Sequence, residues 1–506
     1  MADNSIVLSK TQYCKGVQCR KILWMDRHMR DKFNISTIIE NRFNVGNEVG
    51  TLARQCFGDY VQVQFSYDKW RMAEETKQLV KAGTSVIAEA AFTIDDLYCA
   101  VDILRVSGKR VDIVEVKSST SHPCAPAHKV KDIYLHDLAF QYHVLRRCGL
   151  MVSRVFVMQL NSEYERSGEL DLNELFVLTD CTDEIKNQLM EIESNISLFF
   201  QTAAEESEPG VPYGYWCDKP YICGYKDYCA EKLPENSVYH IGWGMRDMKK
   251  YEAYKNGYKT FSDILYSGGS VKLNDKQQRQ VEFAVNDRPP HVDKKSIKRF
   301  LSAISYPLYH LDFETFQQAV PQWDGLKPYT QIPFQYSLHI QHDAFAIPKH
   351  KEFLAEAGKD PRREIAERLC KDIPSNVCVI AYYMTFEKTC IRYLAEQFRD
   401  LAIRLMIIHD NMVDLAYPFQ SGAYYCREMG GGYSIKAVLP ALCPDDPELD
   451  YNSLPLIHNG SEAMFAYATL KEQLPDAAVK IRQALLAYCR LDTLAMVKIL
   501  ERLYSV

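Results

Sequence analysis

The chain has 506 residues, 47% hydrophobic and 25% charged, a composition that describes folded globular protein and excludes disordered, collagen-like and fibrous classes. Its length exceeds one ordinary core and suggests roughly three units of about 150 residues each. A net charge of −6 supplies no global basic field, so any polynucleotide contact must be a local, salt-sensitive groove of Lys and Arg.

Residues Met1–Lys10 lack the apolar run of a secretory leader, and no stretch of about 20 apolar residues could span a bilayer. Sixteen cysteines without a leader point to a reducing compartment, so a cytoplasmic protein with no membrane contact is expected. There is no internal repeat and no Gly-x-x-x-x-Gly-Lys-Ser/Thr loop, so chemistry without ATP is expected.

Leu8-Ser-Lys-Thr-Gln-Tyr-Cys-Lys-Gly-Val-Gln-Cys-Arg-Lys-Ile-Leu-Trp24 opens on a serine cap followed by an apolar pattern, which predicts a helix carrying Cys19. In Asp102-Ile-Leu-Arg-Val-Ser-Gly-Lys-Arg-Val-Asp-Ile-Val-Glu-Val-Lys-Ser118, two β-branched runs flank a Ser-Gly-Lys turn. That predicts a tight antiparallel hairpin bringing Asp102 near Glu115 and Lys117. Glu115 and Lys117 are two apart and share one strand face. Two carboxylates hold a hard divalent cation such as Mg²⁺, and an adjacent ammonium orients water or stabilises charge on a phosphate oxygen. The plain alternative is a surface ion pair.

Further on, Trp216-Cys-Asp-Lys-Pro-Tyr-Ile-Cys-Gly-Tyr-Lys-Asp-Tyr-Cys229 gathers Cys217, Cys223 and Cys229 in a short loop, where three thiols call for a metal partner. From about Val238 to Arg299 the apolar spacing is helical, and Tyr254-Lys-Asn-Gly-Tyr-Lys-Thr-Phe-Ser-Asp-Ile-Leu265 predicts a helix, a glycine turn and a capped helix. In Ile304–Phe316, Asp312 and Glu314 alternate on a predicted strand and share a face. Val377–Lys388 predicts a buried strand running into a helix start at Glu387, and Asp414 near a later strand end is a spare acid or a cap. After the Gly430-Gly-Gly turn, Ser434 and Lys436 can touch a phosphate, or the segment simply bends. In Leu485–Ala495, Tyr488 and Asp492 lie one helical turn apart.

Asp102, Glu115, Val116 and Lys117 resemble the Asp…Glu-x-Lys core of the PD-(D/E)XK nucleases, and Ile87-Ala-Glu-Ala-Ala-Phe92 resembles the strand leading into it. Cys19 before Arg-Lys-x-Leu-Trp, with Cys217, Cys223 and Cys229 downstream, resembles the iron–sulfur staple of the RecB-like and Cas4-like branch. The resemblance implies that Asp102 and Glu115 bind metal, that Lys117 assists the water, and that four thiolates hold a structural [4Fe–4S] cluster. Tetrahedral zinc is the alternative metal, and Cys14 the alternative fourth ligand. Two departures stand out. Gly50 in Asn44–Arg54 replaces the histidine of the family's Gly-x-x-x-His helix, leaving Glu48 as a substitute. Gln141 matches the Gln-x-x-x-Tyr helix, which implies contact with substrate backbone, a plain surface glutamine being the alternative, but Leu145 stands at the tyrosine position and Tyr142 is adjacent.

Asp312-Phe-Glu-Thr resembles the first motif of the DEDD exonucleases, whose fold is RNase H-like. Phe386-Glu387 resembles the second, with Tyr383 where Asn is commoner, and Tyr488-x-x-x-Asp492 resembles the tyrosine form of the last. Ala487 argues against the histidine form. The resemblance implies that Asp312, Glu314, Glu387 and Asp492 hold two Mg²⁺ or Mn²⁺ ions about 3.5–4 Å apart, with Tyr488 positioning water. Four converging carboxylates would otherwise repel one another.

From the Cys19 helix to the Asp492 helix, the arrangement is similar to the DUF2779 family, in which a Cas4-like nuclease precedes an RNase H-like exonuclease. The expectation is an α/β chain with a PD-(D/E)XK domain over 1–235 carrying the cysteine-ligated cluster, a helical connector over 236–300, and an RNase H-like domain over 301–506. The implied activity is ATP-independent, metal-dependent cleavage of DNA at ends or single strands. The second domain would trim from 3′ ends and the first with opposite or mixed polarity. The alternatives are an RNA exonuclease, and a nucleic-acid-binding or scaffold protein with one or both sites inactive, for which Gly50 and Tyr383 speak.

Overall fold

The computed structural model describes residues 6–34 and 37–506; Met1–Ser5, part of the stretch read for a leader, lie outside the described residues. The chain is mixed α/β and divides into two compact units. The first comprises Met1–Leu233 with Gln318–Thr330, the second Pro234–Gln317 with Gln331–Val506. Residues 236–300, read as a connector, pack within the second unit.

In the first unit, β1 (Leu8–Ser9), β2 (Val61–Gln62), β3 (Val86–Ile94), β4 (Leu97–Ser107), β5 (Arg110–Ser121), β6 (Met151–Asn161) and β7 (Phe176–Asp180) form one sheet. Its order is β2-β3-β4-β5-β6-β7, with β1 beside β4. The expected hairpin is β4–β5. It closes on a two-residue turn between Ser107 and Arg110, and Gly108 adopts φ +62°, a backbone region that glycine enters without steric cost. β5 and β6 are parallel, which requires a crossover, and the helix Asp132–Arg147 supplies it. That helix buries Leu138, Phe140 and Leu145 in the core, and Phe140 stacks on Tyr13 at 4.9 Å.

The single helix expected over 8–24 is two. Ser9 caps Lys10–Gln18 in a reciprocal capping box with Gln12, but Cys19 is extended (φ −162°, ψ 109°) and a second helix runs from Lys21 to His28. The second helix is held by tertiary partners invisible in local pattern: an ion pair between Lys21 and Glu208, and a bond from Trp24 Nε1 to the Glu205 carbonyl at 3.0 Å. Gln318–Thr330 belongs to this unit as well. Ala319 and Val320 pack with Ile103, Val114 and Phe156, while Tyr329 donates to the Ser118 carbonyl at 2.7 Å.

The second unit carries β8 (His291–Val292), β9 (Leu308–Phe316), β10 (Ile332–Gln341), β11 (Lys349–Leu354), β12 (Cys378–Ala381), β13 (Met412–Asp414) and β14 (Tyr424–Tyr425). Five of them form a sheet ordered β11-β10-β9-β12-β13, antiparallel on the β10 side of β9 and parallel on the β12 side; β8 and β14 pair separately. The helix Pro475–Tyr504 packs on β9 and β10. The predicted helix, turn and capped helix appear as Asp247–Lys255, Gly257 at φ +93°, and Phe261–Leu265 capped by Thr260. The glycine-rich turn packs closely against Gly242, and a Cβ on Gly431 would meet the Gln280 side chain at 2.3 Å. A Cβ on Gly242 would sit 2.1 Å from the Gly431 carbonyl oxygen, and Gly431 itself has φ +77°. Among the described residues, no helix is long and apolar enough to cross a membrane.

Candidate functional site

In the first unit, the hairpin register brings Asp102 to the β5 residues expected. Its Oδ2 accepts the Val116 amide at 2.8 Å, which fixes the carboxylate against the strand carrying Glu115 and Lys117. Lys117 Nζ donates to Glu115 Oε1 at 2.7 Å and to Asp137 Oδ2 at 2.8 Å. Gln141 is fully buried; its amide donates to Glu115 Oε2 at 2.7 Å and Asp137 Oδ1 at 2.9 Å, so it orients acids where contact with substrate was expected. Lys10, at the start of the first helix, reaches Glu115 Oε2 at 3.0 Å and Asp102 Oδ1 at 3.3 Å.

Two ammoniums thus face three carboxylates, and one negative charge is unmatched. Burial, with Asp102 and Asp137 close by, pushes Glu115 up to about 7. Burial opposes the charge on Asp137 too, but Lys117 and Lys10 hold it well below the usual carboxylate range. A cation entering here would replace the proton on Glu115 or the ammonium of Lys10. β3 keeps its register with β4 on both sides of Glu89, which lies opposite Asp102, and the φ of +54° at Glu89 costs a non-glycine residue about 1–2 kcal/mol. Glu89 stands 3.5 Å from Arg54 and within the field of Asp102. Gly50 leaves no substituent within 3.9 Å of where its Cβ would be, and Glu48 is exposed.

Cys19, Cys217, Cys223 and Cys229 line one small cavity walled by Ile22, Met25, Val211, Pro212, Trp216 and Tyr225. The extended Cys19 between two helices and the short loop after Trp216 bring the thiols together. Gln18 Nε2 fastens that loop through the Trp216 and Tyr221 carbonyls, both at 2.7 Å. All four thiols are free of disulfides, and burial pushes Cys19, Cys217 and Cys223 up to about 11. Four sulfurs in a mostly apolar wall, with the Lys21 ammonium beside Cys229, are a donor set that fits a thiolate-bound metal or cluster. Cys14 is not among them; its thiol faces the Ile133 carbonyl at 3.9 Å.

In the second unit, β9 presents Asp312 and Glu314, the helix Thr385–Gln397 presents Glu387 in its first turn, and the last helix presents Tyr488 and Asp492. Glu314, Glu387 and Asp492 are buried. Burial, then the charges of Asp492, Glu314 and Glu387, push Asp312 well up; burial and Asp492 do the same to Glu314. Burial lifts Glu387 to about 8 and Asp492 to about 6, the latter restrained by Tyr451, Lys436 and Tyr488. Glu387 Oε2 is buried without a hydrogen-bond partner. An orphaned carboxylate oxygen in a crowd of acids is a donor set that fits divalent cations.

Lys10, Asp137 and Tyr451 carried no signal by themselves. Tyr451 donates to Asp492 Oδ1 at 2.5 Å. Lys436, expected to reach a phosphate, donates to the His458 carbonyl at 2.7 Å and lies over the rings of Tyr451 and Tyr488. Asp414 is a cap: its Oδ1 accepts the amides of Tyr383 and Ala416 at 3.0 and 2.9 Å. Tyr383 has φ +62°, a left-handed backbone that asparagine enters at lower cost than tyrosine.

Residues 309–434 match the family model described as Domain of unknown function (DUF2779), a span that contains Asp312, Glu314 and Glu387. No curated protein matches the chain.

Proposed function

We propose that this chain is a metal-dependent nuclease with two phosphodiester-hydrolysing sites, acting on DNA ends or single strands. The reading rests on one observation above all. Asp312, Glu314, Glu387 and Asp492, from three separate elements, crowd into one buried cluster whose charges are unfavourable until cations are supplied. Mg²⁺ or Mn²⁺ held there would activate water and stabilise the leaving oxygen. Tyr488 bonds Asp492 and stands ready to orient that water, while Lys436 lends positive charge to Glu314 and Asp492. In the first unit Asp102 and Glu115 are the acids, Lys117 the ammonium beside them, and Asp137 with Gln141 hold Lys117 and Glu115 in place. The four cysteines would hold a [4Fe–4S] cluster, or zinc, as a staple between chain segments about 200 residues apart in sequence.

A second reading concerns the first unit alone. Lys10 lies between Asp102 and Glu115, where a divalent cation would sit, which favours nucleic-acid binding without cleavage at that site. End-labelled DNA and RNA incubated with Mn²⁺ and wild type, Glu115→Ala or Asp312→Ala test both readings. Loss of cleavage in Asp312→Ala, by about 10²-fold or more, is expected. Cleavage equal to a no-enzyme control for all three proteins overturns the nuclease reading; loss in Asp312→Ala alone assigns the first unit to binding. Faster cleavage of RNA than of matched DNA makes the enzyme an RNA exonuclease.

A further inference from the structure

One member of the acidic cluster in the second unit is not an acid. Cys489 lies between Tyr488 and Asp492, three residues before Asp492 and therefore on the same helical face. It is fully buried, with Sγ 3.6 Å from Asp312 Oδ2 and 3.7 Å from the Asp312 carbonyl oxygen. One ligand atom each from Asp312, Glu314 and Cys489 lie within 4.8 Å of one another. Glu387, 3% exposed, has an Oε2 with no hydrogen-bond partner and is close enough for its charge to act on Asp312 and Glu314.

Carboxylates alone select hard cations such as Mg²⁺ and Mn²⁺. A thiol among them changes the preference, because thiolate sulfur favours softer ions and a small tetrahedral set of sulfur and oxygen suits zinc. We propose that Asp312, Glu314 and Cys489 form a mixed carboxylate–thiolate site for a thiophilic divalent cation of the Zn²⁺ and Cd²⁺ class, in competition with the hard cations of the proposed hydrolysis. Binding converts the Cys489 thiol to a thiolate: the S–H bond breaks, the sulfur pair forms the bond to the cation, and the proton leaves to solvent. No electron is transferred. The inference rests on the reading of this cluster as a cation site, but not on its being a nuclease. It follows that Zn²⁺ displaces Mn²⁺ and blocks any activity that Mn²⁺ supports.

The test uses full-length wild type, Cys489→Ser and Cys489→Ala, each with the cysteine quartet of the first unit intact. Titration with Cd²⁺ in excess Mg²⁺ is followed by the ultraviolet thiolate-to-cadmium charge-transfer band, and Zn²⁺ affinity by competition. A component of the band present in wild type and missing from both variants is expected. Zn²⁺ affinity should fall at least ~10-fold and Mn²⁺ affinity less than ~3-fold. Equal bands and equal Zn²⁺ affinity in folded wild type and variants overturn the proposal. Should both variants misfold, cadmium NMR of the wild type decides: a resonance in the mixed thiolate–oxygen range supports it, and its absence overturns it. A wild type that cleaves neither DNA nor RNA yet shows the Cys489-dependent band sinks only the nuclease reading. A Mn²⁺-dependent nuclease whose Cys489→Ser form keeps the whole band sinks only this one.

Discussion

The Lys10 ammonium lies 3.0 Å from Glu115 Oε2 and 3.3 Å from Asp102 Oδ1, so an internal cation joins the two acids of the first unit. Lys10→Met leaves one ammonium facing three carboxylates in a partly buried pocket. Without divalent metal it should lower stability by roughly 2–4 kcal/mol. Added Mn²⁺ should restore more of that stability in the variant than it adds to wild type. Urea unfolding in EDTA and in Mn²⁺ measures both, and equal gains in the two proteins would show that Lys10 does not compete with metal.

Tyr383 carries a left-handed backbone beside Glu387. Tyr383→Asn should raise unfolding stability by about 1 kcal/mol, because asparagine enters this region at lower cost and the Asp414 cap on its amide is kept. A variant no more stable than wild type in urea would show that the ring's contacts with Tyr382 and Tyr433 offset the strain.

His310 and His339 lie side by side with the β9–β10 pairing and are buried, His310 against Gln341 and His339 against Thr493. Burial lowers His310 to about 4, and burial with the neighbouring His350 and His310 lowers His339 to about 3. The sign follows from depressed values. The unfolded chain takes up protons below about 6.5 while the folded one does not, so the stability is present above that pH and is lost as pH falls toward 4 and 3. At pH 5 each histidine should cost about 2 kcal/mol relative to neutral pH. His350, also lowered to about 4, and the raised acids Glu115, Glu387 and Asp492 titrate in the same window, the acids with opposite sign. The measure is therefore a difference: the change in urea unfolding stability from pH 7 to pH 5 should be about 2 kcal/mol smaller in His310→Gln than in wild type, and equal changes would overturn it.

For the cysteine quartet, Cys223→Ser should abolish metal retention on purification and destabilise the first unit, whereas Cys14→Ser should leave the metal in place. Metal analysis with visible absorbance separates iron–sulfur from zinc. Equal metal content in Cys223→Ser and wild type would remove the quartet from consideration.

What local pattern could convey, it conveyed. The β4–β5 hairpin followed from its β-branched runs and glycine turn, and the capping box at Ser9 from its serine. The acids of β5 and β9 followed from two-residue spacing on a strand. Residues joined only by the fold left no such trace. Lys10 is 92 residues from Asp102, and Asp137 lies on a helix 20 residues beyond Lys117. Tyr451 is 41 residues from the Asp492 it holds. The break at Cys19 was hidden for the same reason, since Glu205 and Glu208 turn the second helix away. Cys489 gives no signal of its own in the sequence, because a buried cysteine in a helix usually serves as a small apolar side chain.

The segment from Gln318 to Thr330 leaves β9 and returns to β10, yet Ala319 and Val320 fill the core beside Ile103 and Val114. A chain cut after Leu233 would therefore lack a piece of its own interior and expose the vacated apolar seat to water. Attempts to express that half alone should yield aggregation-prone protein. Supplying 318–330 in trans as a peptide, or grafting it through a short linker, is the rational way to obtain the isolated half in soluble form.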